Sequence, residues 1–210
     1  FRYFDQERYF SAGAETVATF YRRTVVIPGV VLQRQAALKY STDRFDGTLL
    51  YQLYLAANIL LDMNGVFLPE ILVYYRTGGV PDFGNSENEK GKFVPEEQTP
   101  ESSVHFMQGM LDIALWVEKQ RCVSIYRPIL RDIGNYMYPI LAIQARQPLG
   151  VFIKYAYVLA KIGFWRCGLF YAYFLSILLL GVKRVDKTIL FIKKRLGYTP
   201  TLGNVYRGES

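Results

Sequence analysis

The sequence predicts an α/β portion over residues 1–80, followed by a mostly α-helical part whose end associates with membranes. Three observations predict it. Apolar residues recur at three- and four-residue spacing over 46–63, and a run rich in valine, isoleucine and tyrosine follows over 66–76. An earlier β-branched stretch, Thr24 to Leu32, has the same strand-like composition. Residues 148–210 combine aromatic rings, long aliphatic runs and a surplus of positive charge.

Taken in order, residues 5–22 carry Phe10, Ala14, Val17, Ala18 and Tyr21, a helical stripe. Thr24–Ile27 and Val30–Leu32 read as an extended segment, with Pro28-Gly29 supplying a bend. A short helix is expected over 34–40. The strongest helix is 46–63: Leu49, Leu50, Leu53, Ala57, Leu60 and Leu61 share a face, Asp46 or Thr48 can cap the start, and Asn64-Gly65 stops it. Val66 to Arg76 then reads as a strand interrupted at Pro69, an order that suits the end of an α/β sheet.

From Thr77 to Gln98 no periodicity survives, and Gly78-Gly79, Pro81-Asp82, Gly84-Asn85-Ser86 and Gly91 make a long loop. Such a loop is a functional lid or a disordered linker. Thr99-Pro100-Glu101 opens a helix with a cap, a proline at its first position and an acid near its positive end. It runs to about Lys119 on Val104, Met107, Leu111, Ala114 and Leu115. Another helix spans 125–145, disturbed at Pro128 and Pro139, and two aromatic-rich helices cover 151–165 and 167–182. The chain thus divides into 1–80, a lid over 81–98, a helical extension over 99–147 and a tail over 148–210.

A chain of 210 residues holds one ordinary core, or half of a larger one with an appendage. The opening from Phe1 has neither the charged start nor the apolar stretch of a signal peptide, and is expected to be an internal cut. Lys and Arg outnumber Asp and Glu by 25 to 18. From Lys154 to Arg195 nine basic residues face one acid, Asp186, whereas Asp82 to Glu101 runs acidic. A basic, aromatic tail suits anionic lipid head groups or phosphates. Nucleic acid is not expected, because the cations are interleaved with aliphatic runs and no nucleic-acid motif is present. Two distant cysteines and one histidine give neither a disulfide framework nor a zinc site.

The run Cys167–Val182 has 16 uncharged residues, short of the ~20 that cross a bilayer as a helix, and Arg166 and Lys183-Arg184 clamp its ends. An interfacial or re-entrant helix on the cytoplasmic face of the inner or plasma membrane is favoured over a span. Lys154, Trp165, Arg166, Lys183 and Arg184 are the expected lipid contacts. The competing readings are a helical bundle that packs these rings inward, and a spanning hairpin over 151–192.

Helix 46–63, Gly65, a strand carrying Pro69-Glu70 and the ending Tyr75-Arg76 resemble the last third of the catalytic domain of family 2 glycosyltransferases of the GT-A fold. The resemblance covers about residues 24–80 and extends to the branch acting on polysaccharides of the cell envelope through Gly78 to Ser86 and Leu196 to Gly203. It implies an inverting transferase that moves a sugar from a nucleotide-sugar donor to a glycan or lipid-linked acceptor. It also implies a divalent metal, Mn or Mg, whose main ligands would precede this chain. The family's acidic pair would fall at Leu49-Leu50, where this chain has none; the nearest carboxylates are Asp43 and Asp46.

Inverting transfer needs a carboxylate to take the acceptor proton and positive charge on the departing diphosphate. On the resemblance, Asp46 is the candidate base, with a helix cap as the plainer alternative. Gln52 is a candidate acceptor contact or a solvated helix residue. Arg76, with the amides of Gly78 and Gly79, is a candidate diphosphate clamp or one side of an ion pair. Asp82, Asn85, Lys90 and Lys92 are candidate substrate contacts of a closing lid, or ordinary loop residues. His105 is a candidate late metal ligand, or a partner-bonded helix residue.

Overall fold

The computed structural model describes residues 4–70, 73, 90–92 and 98–195. Of these, 68% are helical, and their only sheet pairs strand β1, Arg8–Phe10, antiparallel with β2, Gly65–Phe67. The α/β GT-A fold expected from the sequence is therefore overturned: the described residues form a helical assembly with one two-stranded ribbon. Thr24–Ile27 explains the error. Its β-branched residues favour a strand, yet a strand needs a neighbour to accept its hydrogen bonds. Instead a 3₁₀ turn, Tyr21–Val25, continues helix α1, Ala14–Phe20, and 26–33 carries no ladder. Burial decides that outcome: Tyr21 is 1% exposed and its hydroxyl donates to the Met110 carbonyl at 2.6 Å.

The helix expected over 5–22 is split, because β1 precedes α1 and Gly13, at φ 140, turns the chain between them. Helix α2 is Arg34–Lys39. Helix α3, Tyr51–Asp62, starts later than expected: a 3₁₀ turn occupies Asp43–Phe45, Gly47 sits at φ 68, and Leu50 is the N-cap. Neither Asp46 nor Thr48 caps it; Thr48 donates to the Phe45 carbonyl instead. The strand expected through Arg76 is observed only as β2. Residues 68–70 and 73 are non-strand, and the rest of 71–80 lies outside the described residues.

Helix α4, Pro100–Arg121, is the centre of the fold and packs against α3, helix α5 (Tyr126–Asn135) and helix α7 (Leu149–Lys161). Its start matches the sequence signal: Thr99 accepts a hydrogen bond from the Ser102 N–H at 3.1 Å, with Pro100 in the first turn. Cys122, in the left-handed region at φ 50, ends it. The chain then doubles back under Glu118, whose carboxylate accepts from the Ile125 and Tyr126 N–H groups at 2.8 and 2.7 Å. That carboxylate supplies the cap that α5 lacks locally and meets its positive dipole end.

The single helix expected over 125–145 is two, α5 and α6 (Tyr138–Gln144). Pro139 sits in the first turn of α6, where its missing N–H costs nothing, whereas inside one long helix it would leave a carbonyl unpaired. After α7 come a 3₁₀ turn, Phe164–Arg166, helix α8, Gly168–Leu180, and helix α9, Val182–Arg195, which the sequence reading had not separated. Gly181, at φ 75, makes the turn between α8 and α9. The core runs continuously from Val17 and Leu53 through Met110, Ala114, Ile129 and Met137 to Phe164, Phe170 and Val185. Polar ties hold its periphery: Arg22 pairs with Asp132 at 2.8 Å and lies over the Tyr136 ring, and Tyr138 donates to Asp186 of α9 at 2.6 Å.

Candidate functional site

The C-terminal helices end in an arrangement that water alone does not favour. Among the described residues, fourteen of the twenty-three exposed large apolar side chains fall within 149–192, so apolar exposure is concentrated there. Helix α8 contributes Leu169, Tyr171, Leu175, Leu178, Leu179 at 77% exposure and Leu180, while α9 contributes Leu190, Phe191 at 61% and Ile192. The inner side of the same helices is buried through Phe170, Ile177 and Val185. Each helix therefore buries part of its apolar surface in the core and leaves other apolar side chains exposed.

The same stretch of chain carries exposed cations. Lys154, Lys161, Arg166, Lys183, Arg184 and Lys187 are all exposed. Lys161 lies 4.6 Å from the centre of the Tyr157 ring and Arg166 lies 4.8 Å from that of Trp165, so each cation sits against an exposed ring. Lys183 and Arg184 occupy the first turn of α9, which holds no acid. Cations at the positive end of a helix dipole are unfavourable, so their position there does not serve helix stability. Helix α8 is 13 residues, about 20 Å at ~1.5 Å per residue, against a hydrocarbon core of about 30 Å. Among the described residues no helix is long and apolar enough to cross a membrane.

Lys154, Trp165, Arg166, Lys183 and Arg184, the lipid contacts expected from the sequence, are all exposed. The sequence reading did not separate Tyr157, Leu190, Phe191 and Ile192 from the core-forming residues. The signal was the mixed pattern of 182–195, basic and apolar together, which marks a surface helix.

The residues singled out for sugar transfer are dispersed. Asp46 is exposed, immediately after the 3₁₀ turn Asp43–Phe45, and its N–H donates to the Asp43 carbonyl. Gln52 points inward and donates to the Val25 carbonyl at 2.9 Å, which joins α3 to the end of the 3₁₀ turn. Lys90 and Lys92 are exposed and flank Gly91, whose φ of 80 makes a turn. His105 is half-buried in the second turn of α4. Arg76, Gly78, Gly79, Asp82 and Asn85, and with them the clamp and most of the lid, lie outside the described residues. Among the described residues no group of three His, Cys, Asp or Glu side chains is placed to hold a metal; on the resemblance, the main ligands of the expected Mn or Mg lie outside these residues, with His105 only as a late addition.

A polar cluster that sequence reasoning missed joins α2, α3 and α4. Asp62 accepts hydrogen bonds from the Tyr40 hydroxyl and the Arg121 guanidinium, and Lys39 lies 3.7 Å away. Arg121 also donates to Asn58 at 3.2 Å. The Tyr40 hydrogen bond, then Arg121 and Lys39, hold the Asp62 carboxyl below the usual aspartate range. The cluster ties α2 to the ends of α3 and α4, and every member already has a partner, which makes it a fastening. No protein-family model, curated protein or solved structure matches the chain.

Proposed function

We propose that this protein works at an anionic membrane surface, docked through α7–α9, and that it serves sugar transfer there from a nucleotide-sugar donor to a lipid-linked or polysaccharide acceptor. One observation carries the docking: the concentration of exposed apolar side chains over α7–α9, together with six exposed cations on the same stretch, Lys154, Lys161, Arg166, Lys183, Arg184 and Lys187. Leucine and phenylalanine side chains enter the acyl boundary, tryptophan and tyrosine take the head-group layer, and cations reach lipid phosphates. Helices of this length lie in the interface, which makes the association monotopic.

The sugar-transfer half is supported by the pattern of residues 24–80. In the sequence, the apolar stretch 46–63, Gly65 and Pro69-Glu70 stand in the order that resembles family 2 glycosyltransferases, a resemblance of sequence only, since the described residues do not form the GT-A fold. A transferase acting on lipid-linked acceptors works where those acceptors are, so the two halves belong together. Asp46, exposed beside the start of α3, remains the candidate base, and Arg76 the candidate diphosphate partner.

Two measurements on the full-length protein test the reading. Pelleting with phosphatidylserine vesicles, and release by alkaline carbonate, are expected; no pelleting contradicts the docking, and resistance to carbonate favours a spanning hairpin. Turnover of a nucleotide sugar, lost in Asp46→Ala and Arg76→Ala, is expected for the transferase. Membrane binding without turnover leaves a membrane-association or assembly module.

A further inference from the structure

An open groove of about 630 Å³ runs between α7 and α8, in the range of roughly 300–1,000 Å³ usual for small-molecule sites. Its walls are Ile153 and Ala160 from α7, Trp165 from the following turn, and Tyr171 and Phe174 from α8, with Lys161 at the carboxyl end of α7. The only charged side chain among its lining residues is therefore a cation. Arg166 stands next to Trp165 with its guanidinium over that ring. Helix α8 opens at Gly168 without a side-chain cap, and its first turn gives Phe170 and Tyr171 to the groove, so its positive dipole end adds to the two cations.

We propose that this groove binds one hydrocarbon chain of a lipid that ends in phosphate or diphosphate, with the anion on Lys161 and Arg166. Aromatic and aliphatic walls recognise the chain by burial alone, and the cations fix which end sits where. A second copy of this chain is the poorer occupant. Its own tail carries nine cations against Asp186 over 154–195, so two such faces repel. The inference rests on the membrane-surface reading, since that surface would deliver the lipid, but its test reads binding in solution.

The probe is farnesyl diphosphate, added to the 210-residue chain carrying Trp116→Phe, in which Trp165 is the remaining tryptophan and reports on the groove. Saturable quenching is expected, at least tenfold tighter than with farnesol or with inorganic diphosphate. Lys161→Gln with Arg166→Gln, both at exposed positions, is expected to loosen binding at least tenfold. Ala160→Phe, which fills the groove without adding a second tryptophan, is expected to abolish saturation while leaving the circular dichroism spectrum and vesicle binding in place. Equal binding of inorganic diphosphate means an anion site without a chain site. Equal binding of farnesol, or unchanged binding in both variant sets, means partition into apolar surface; any of these overturns the proposal. Protein that pellets with vesicles but does not bind the probe loses the groove alone, and protein that binds the probe but ignores vesicles loses the docking alone.

Discussion

Replacing Lys183 and Arg184 by glutamine tests the electrostatic part of docking without disturbing the fold. Both residues are exposed, and no contact to the core depends on them. They stand in the first turn of α9, where positive charge opposes the helix dipole, so glutamine there costs no helix stability and gains a few tenths of a kcal/mol. Each Lys or Arg close to an anionic leaflet contributes about 1 kcal/mol of binding. Removing two of the six exposed cations between Lys154 and Lys187 therefore costs ~2 kcal/mol, or about 30-fold in vesicle affinity. The assay is co-sedimentation with phosphatidylserine-containing vesicles at physiological salt, repeated near 1 M salt, where a Debye length of about 3 Å screens the contribution. The variant ratio is expected to fall towards one at high salt, while residual binding through the apolar side chains persists. Equal affinity of the two proteins at physiological salt, or binding of the wild type to uncharged vesicles as tight as to anionic ones, would refute the reasoning.

Three further outcomes follow from the packing. Glu118→Ala removes the cap of α5 and leaves the Ile125 and Tyr126 N–H groups without an acceptor, which is expected to cost about 1–3 kcal/mol in a urea melt, with Glu118→Gln closer to wild type. Gly134→Ala puts a Cβ 2.7 Å from the Cys167 Sγ; overpacking of ~1–3 kcal/mol outweighs the ~1 kcal/mol that alanine gains in a helix, so the melting temperature is expected to fall. The lowered Asp62 carboxyl gives stability that is present above its unfolded value of about pH 4 and is lost as pH falls through its lower folded value. Asp62→Asn is expected to flatten the acid limb of stability against pH in that window, and an unchanged limb would show that the cluster carries no linkage.

Helices were legible where their signals were local. Thr99, Pro100 and Glu101 lie within one turn of the start of α4, and α2 falls within a residue of its expected ends. Strands were not, because a β-branched run states a preference and its pairing partner lies elsewhere; Thr24 and Val25 end a 3₁₀ turn fastened by Tyr21 to α4, and Val26 and Ile27 are left exposed without a ladder. Helix α9 was hidden because Lys183-Arg184 reads as the clamp ending an apolar helix, and only Gly181 marks the new start. The charge and aromatic content of the docking surface could be read directly, since composition survives without knowledge of the fold. Which leucines and rings face outward could not, because that depends on where α8 meets α5 and α6. Gln52 shows the same limit: its amide partner, the Val25 carbonyl, is 27 residues away.

The most direct test of the docking claim places an environment-sensitive fluorophore on the apolar side itself. In a background with Cys122→Ser and Cys167→Ala, a single cysteine is introduced as Leu179→Cys or Phe191→Cys, with Tyr9→Cys as an exposed control on β1. On adding phosphatidylserine vesicles, the labels at 179 and 191 are expected to shift to the blue and become shielded from aqueous quencher, while the label at 9 stays in water. Labels at 179 and 191 that remain as hydrated as the control, in protein that has bound the vesicles, would contradict docking through α8 and α9.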